Sequence, residues 1–131
     1  MIAIEPLPSP NHEPRRGEGV DMLVLHYTGM LGDVYKRQGM PTAAHARARM
    51  TDPEAKVSAH YLIDEDGRIE ALVDEDRRAW HAGMAWWRGE TDINSRSIGI
   101  ELVNPGHEFG YRPFTDAQLA ALVPLVEGIL A

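Results

Sequence analysis

The sequence predicts a single α/β domain with at least four strands and helices packed against them. Three observations carry that expectation. Two continuous apolar runs, MLVL at residues 22–25 and SIGIELVN at 97–104, have the length and composition of strands buried on both faces. Between them VSAHYLIDEDGRIEALVD (57–74) alternates and breaks at Asp66-Gly67, a strong hairpin signal. At the end TDAQLAALVPLVEGILA (115–131) carries apolar residues at helical spacing. A chain of 131 residues suffices for one core.

In chain order, the first element expected is an extended, proline-rich arm over residues 1–20, because three prolines within residues 6–10 forbid a helix. The domain proper is expected over 21–131. The first strand at 22–25 runs straight into His26, Tyr27, Thr28 and Gly29. PTAAHARARM (41–50) reads as a short helix closed by Asp52-Pro53. After the hairpin, RRAWHAGMAWWRGETDIN (77–94) reads as a loop holding all 3 tryptophans, Trp80, Trp86 and Trp87. In the terminal helix Thr115 and Gln118 form a capping box, Leu119, Leu122, Val123, Val126, Ile129 and Leu130 are expected on one face, and Pro124 should kink the helix. The pattern is still running at Ala131, which gives the domain the look of one cut off at its C-terminus.

Composition narrows the functional classes. A formal net charge of −7 argues against a nucleic-acid partner, since a phosphate backbone calls for a basic face. Cys is absent, so disulfides and thiolate metal ligands are excluded. No apolar run approaches the ~20 residues of a membrane span, and the N-terminus lacks the basic-then-apolar order of a signal peptide, so no transmembrane segment and a cytoplasmic location are expected, with a periplasmic or exported parent as the alternative.

Chemistry concentrates in a few residues. A titratable ring at the tip of a strand, as at His26, is either a core histidine satisfied by one hydrogen bond or a ligand or base placed where α/β proteins build sites. Glu101 interrupts an apolar run. Buried, ionised and alone it would cost several kcal/mol, so it is partnered, protonated or poised near a cation, unless it faces solvent. With neutral imidazoles and no cysteine the cation favoured is zinc, whose catalytic sites take three protein ligands and leave one position open. A glutamate nearby then takes a proton as water attacks a carbonyl. No HExxH-type pair is present, so spacing alone does not decide for a metal hydrolase. His60, between Ala59 and Tyr61, reads as a histidine bonded within the sheet. His81 in the tryptophan loop reads as a rim residue of a groove suited to sugar faces and peptide backbones, or else as part of a small apolar cluster beneath a long loop.

VLHYTGM, VSAHYLIDEDG, AWHAG and NSRSIGIELVNP, in that order, resemble the type 2 N-acetylmuramoyl-L-alanine amidases, a superfamily that includes muropeptide-recycling amidases and peptidoglycan recognition proteins. The resemblance runs from about residue 9 to the end. It implies a mixed central β-sheet flanked by helices, and zinc-dependent (Zn2+) hydrolysis of the amide joining N-acetylmuramic acid to L-alanine in peptidoglycan or anhydro-muropeptides. It also implies His26 as the first zinc ligand, Glu101 as the acid–base catalyst, and Tyr27, Trp80, His81, Trp87 and Asn94 as substrate-binding residues. His60 and His81 are not zinc ligands in the family.

Two departures stand out. In the family the terminal helix leads to a segment of the form GHxDIxPxRKxDPG that supplies the second and third zinc ligands, so this chain is expected to carry one ligand of three and to be inactive alone. His45, His60 or His107 would replace the others only if the fold brought them to His26. Second, removing LGDVYKRQGM (31–40) leaves HYTGMPTAAHARARM, an uninterrupted family-like sequence, and the doubled Gly-Met marks 31–40 as an insertion, an assembly artefact or a surface loop. A non-catalytic peptidoglycan-binding module of the same superfamily is the alternative; Glu101 tilts the reading toward an enzyme.

Overall fold

The computed structural model describes residues 2–17, 19–29, 42–106, 110 and 112–131. Residues 31–40 and His107 lie outside that set, so the expectations placed on them do too. Seven strands are present among the described residues: β1 (Ile4–Pro6), β2 (His12–Pro14), β3 (Met22–Tyr27), β4 (Tyr61–Ile63), β5 (Ile69–Ala71), β6 (Arg77–Ala79) and β7 (Ser97–Leu102). The helices are α1 (Ala43–Thr51), α2 (Ile93–Arg96) and α3 (Asp116–Leu130).

Five strands form one mixed sheet in the order β1-β5-β4-β7-β3. The hairpin β4–β5 is antiparallel, while β7 runs parallel to both β4 and β3. The fold is therefore the mixed, helix-flanked sheet expected. The arm is extended, as its prolines dictate, and is woven into the domain. Its β1 lies parallel to β5 at the sheet edge, and β2 pairs antiparallel with β6 in a second, two-stranded sheet. Further pins hold it: Ser9 Oγ donates to the Met50 carbonyl at 2.5 Å, and Asn11 Nδ2 donates to the carbonyls of Asp52 and Val57 at 2.9 Å.

Because side chains alternate across a strand, register assigns the two faces. One face carries Ile98, Ile100 and Leu102 of β7 with Tyr61, Ile63 and Ile69, and α3 covers it through Leu125, Leu122, Ala121, Val126 and Ile129. The other face carries Leu62 with Met50 and Ala46 of α1 above it, together with Leu72, Val73, Ala79 and Val103. On this second face the register rows are polar toward β3: His26 stands beside Glu101, Glu101 beside Leu62, and Leu62 beside Glu70.

Three expectations are corrected here. β3 is the outermost strand of the described sheet, so it is not buried on both faces; Leu25 is half exposed. A short apolar run fits an edge strand with one covered face as well as a central one. The helix α3 keeps only part of the expected face: Leu122, Val126 and Ile129 pack on the sheet, whereas Leu119, Val123 and Leu130 are exposed and Gln118 is fully buried. The reason is the capping box. Gln118 Oε1 accepts from the Thr115 amide, and its Nε2 donates to the carbonyls of Val103 at 2.8 Å and Ile63 at 3.3 Å, docking the helix start on the sheet. Pro124 sits inside α3, which runs on to Leu130. Finally, 77–94 is only partly loop, since it contains β6 and the start of α2, whose N-cap Asp92 accepts from the Ser95 amide. No described helix is long and apolar enough to cross a membrane.

Candidate active site

The site lies where β3 and β7 run side by side toward their C-terminal ends, on the α1 face. His26 and Glu101 are register partners in a parallel pair and so share that face. Glu101 is buried at 8% exposure, and its Oε2 has no hydrogen-bond partner among the described residues. Burial pushes its carboxyl up to about 8. Burial thus favours the protonated form, and a perturbed carboxyl with an unpartnered oxygen is a functional-site candidate.

His81 lies under His26. Its Nδ1 is 2.9 Å from His26 Nε2, and its Nε2 is 3.0 Å from the hydroxyl of the fully buried Ser97. The two rings meet edge to face, with centroids 5.2 Å apart. Room for His81 exists because residue 99 is glycine: a Cβ there would sit 2.5 Å from His81 Cγ. Burial, and next the neighbouring His26, His60, Arg15 and Arg78, take the His81 imidazole down to about 3. Burial also lowers His26 and, with Arg15, His60. The three rings are neutral at pH 7.

His60 is fully buried and committed. Its Nδ1 accepts from the Gly99 amide at 3.0 Å, which leaves the hydrogen on Nε2 to be donated to the Arg77 carbonyl at 2.9 Å. This is the sheet-bonded histidine expected from the sequence. His45 is likewise occupied, accepting from the Thr42 amide at the start of α1. Of His26, His60 and His81, only His26 keeps a ring nitrogen, Nδ1, that makes no hydrogen bond among the described residues.

The residues expected to contact substrate divide. Trp86 and Trp87 are exposed and, with Ala82, Ala85 and His26, line a groove of about 500 Å³ along the outer edge of β3. Trp87 opens a tight turn to Glu90 in which Arg88 and Gly89 both have positive φ. Trp80 lies in a neighbouring hollow with Lys56, Arg78 and Gly83. Tyr27 is one residue past His26 and so belongs to the opposite face, where its ring packs against Gly29 and Gly106. Asn94 is buried, its Oδ1 occupied by the amides of His81 and Ala82 at 3.1 and 2.8 Å. Asn94 thus holds the WHAG loop, and the half-buried His81 bonds His26 and Ser97 while lining, with Asn94, the same hollow as Trp80.

Sequence reasoning missed Arg15. Its Nη1 donates to the carbonyls of Asn94, Ser95 and Ser97 at 3.0–3.1 Å, and its Nε and Nη2 donate to the Glu75 carbonyl. It caps the end of α2 and fixes the segment that feeds β7. The only signal was an arginine pair after a proline-rich arm, which by itself reads as solvated charge.

A family model described as N-acetylmuramoyl-L-alanine amidase matches residues 16–131. The chain is 38% identical over 124 residues to N-acetylmuramoyl-L-alanine amidase AmiD of Escherichia coli, covering 86% of this chain and 40% of that protein. It is 33% identical over 132 residues to 1,6-anhydro-N-acetylmuramyl-L-alanine amidase AmpD of Haemophilus influenzae, covering 93% of this chain and 68% of the relative. Among solved structures, a selenomethionine AmpD crystal structure superposes with a TM-score of 0.79 at 31% identity, over 97% of this chain and 73% of the other. AmiD, solved with anhydro-N-acetylmuramic acid-L-Ala-D-gamma-Glu-L-Lys as its substrate, superposes at 0.69 and 37% identity, over 85% of this chain and 43% of that one. The chain thus spans two-fifths of its AmiD relative and about two-thirds of its AmpD relative, and it belongs to the N-acetylmuramoyl-L-alanine amidase family.

Proposed function

We propose that this chain belongs to a zinc-dependent amidase that cleaves the amide between the lactyl group of N-acetylmuramic acid and L-alanine, in peptidoglycan or anhydro-muropeptides, and that it contributes His26 and Glu101 to that chemistry. The observation that carries this reading is the buried Glu101 carboxyl, with Oε2 unpartnered, beside a histidine that has one uncommitted ring nitrogen. Those two groups fit a metal-assisted hydrolysis. His26 would hold the ion, and the neutral state of its ring is the state that ligates. Zinc supplies, when bound, a Lewis acid that polarises the amide carbonyl and acidifies water.

The chain's own residues do the rest. In its ionised form Glu101 would take a proton from the attacking water at Oε2 and return it to the departing nitrogen of L-alanine; burial raises the carboxyl so that it exchanges that proton near neutral pH. The Trp86–Trp87 groove along β3 offers apolar faces to the muropeptide beside His26. No group of three His, Asp or Glu side chains able to hold a metal occurs among the described residues. The family resemblance assigns the remaining ligands to a GHxDIxPxRKxDPG segment.

The test uses the 131-residue chain with and without such a segment appended, zinc present, and an anhydro-muramoyl tripeptide as substrate. The expected result is release of free L-alanine amino termini by the extended chain only, with Glu101→Gln lowering kcat by roughly 10²–10⁴-fold, the usual worth of an acid–base catalyst. Tight binding of the tripeptide without cleavage by the extended chain would assign the protein to the binding class instead.

A further inference from the structure

We infer that His81 is a positioning residue: by accepting a hydrogen bond at Nδ1 it holds His26 as the Nε2–H tautomer and so reserves His26 Nδ1 for the metal. The metal half of this inference rests on the function proposed above; the tautomer half does not.

The argument starts at the far end of the chain of contacts. The Ser97 hydroxyl has a single hydrogen and two neighbours, the Ile93 carbonyl at 2.7 Å and His81 Nε2 at 3.0 Å. A carbonyl only accepts, so the hydrogen goes to Ile93 and the hydroxyl oxygen accepts from His81 Nε2–H. A neutral imidazole with its hydrogen on Nε2 has a lone pair on Nδ1, and that lone pair lies 2.9 Å from His26 Nε2. His26 must donate there. Its own lone pair is then on Nδ1, the nitrogen left without a partner among the described residues. The opposite proton order would leave the buried Ile93 carbonyl without its serine donor and place a hydrogen on His26 Nδ1, which could not then ligate.

Three other residues show that the arrangement is built rather than incidental. Gly99 leaves the volume that the His81 ring fills, since a Cβ there would fall 2.5 Å from Cγ. Asn94 Oδ1 clamps the His81 and Ala82 amides and sets the approach of the ring. His60, 6.0 Å from His81 between ring centroids, is locked by Gly99 and Arg77 and exchanges no hydrogen with the pair. A ligating histidine whose other nitrogen is bonded to a fixed acceptor is the usual means of setting ring orientation and basicity. Here the acceptor is a second imidazole, itself anchored through a serine to the backbone.

Long-range ¹⁵N–¹H correlation spectra of the metal-free 131-residue chain test this directly. The expected pattern is Nε2–H at both His26 and His81, with zinc titration of the extended chain then shifting His26 Nδ1 and sparing Nε2. In His81→Phe, His26 should become a mixture of tautomers, and the zinc affinity of the extended chain should fall roughly 10–100-fold, the range seen for loss of such partners. His81→Gln, whose amide oxygen can accept, should restore part of both. A wild-type spectrum with the hydrogen on His26 Nδ1, or a His81→Phe spectrum unchanged at His26, would overturn the inference. Should His81→Phe fail to fold, the wild-type spectrum still decides, and Ser97→Ala, which frees His81 Nε2, should mix the tautomers of both rings. The expected spectrum in a chain whose extended form cleaves no amide would refute the function and leave the relay standing.

Discussion

Glu70 and Glu101 are two buried glutamates on one face of one sheet, and both are register partners of Leu62, one on each side. Glu70 is answered by Arg47 of α1, whose Nε donates to Oε1 at 2.5 Å while its Nη2 reaches Asp64 at 2.5 Å. Glu101 Oε2 has no partner among the described residues, and burial alone pushes the carboxyl up to about 8. The same residue type at the same depth is thus closed by an ion pair under α1 and left open at the β3 side. Burying a carboxylate without a partner is costly, and that cost is the observation behind the catalytic role proposed for Glu101. Desolvation readies it to exchange a proton near neutrality; a guanidinium beside it would end that.

Four substitutions break or sharpen the contrast. The largest effect is expected for Arg47→Met, which strands Glu70 and Asp64: a loss of about 2–4 kcal/mol in urea unfolding, below the full range for a buried pair because Arg47 is partly exposed. A loss under about 0.5 kcal/mol would mean that the pair is a surface bridge in energetic terms. Next comes Gly99→Ala, which drives a methyl into His81 and should cost about 1–3 kcal/mol by overpacking while separating His81 from His26. Unchanged stability with the His26–His81 contact intact would show that the ring has other places to go.

Glu101→Gln should act in the opposite direction. The folded state keeps a proton up to about pH 8 that the unfolded chain releases near 4.5, so wild-type stability falls as pH rises through that window. The glutamine variant lacks this slope: it matches wild type near pH 4 and is the more stable of the two by pH 8. Parallel pH–stability curves for the two proteins would refute an isolated, raised carboxyl. The smallest effect is expected at Trp86, which is 69% exposed: Trp86→Ala should change stability by no more than about 0.5 kcal/mol while weakening muropeptide binding several-fold by calorimetry. A large stability loss there would turn the groove wall into core.

What was legible in the sequence follows the strength of each local signal. The hairpin at Asp66-Gly67, the capping box at Thr115 and Gln118, the helix ending at Asp52 and the strand at 97–102 are encoded by nearby residues and stand where expected. β1, β2 and β6 were not legible, because three-residue strands have no periodicity and depend on partners 65 residues away, as in the pairing of Glu13 with Arg78. At the site, His26 and Glu101 announced themselves by interrupting apolar runs. The roles of His81, Asn94 and Arg15 could not be read, since each depends on which way a loop side chain turns. A loop sequence fixes composition at the groove; only contacts with Ser97, Gly99 and the backbone of 81–97 fix orientation.

The position of β7 has a consequence for how the protein is made. It is the strand that joins β3 to the rest of the sheet, and it is the last of the seven to be synthesised. While the chain emerges from the ribosome, β4 and β5 can zip at once through their tight turn, but β3 stays without a sheet partner until residue 102 is out. Arg15 waits as long for the carbonyls of Ser95 and Ser97. Because closing such long loops delays the contacts that reward them, the domain should fold in one late step, and His26 meets Glu101 in the same event that completes the sheet.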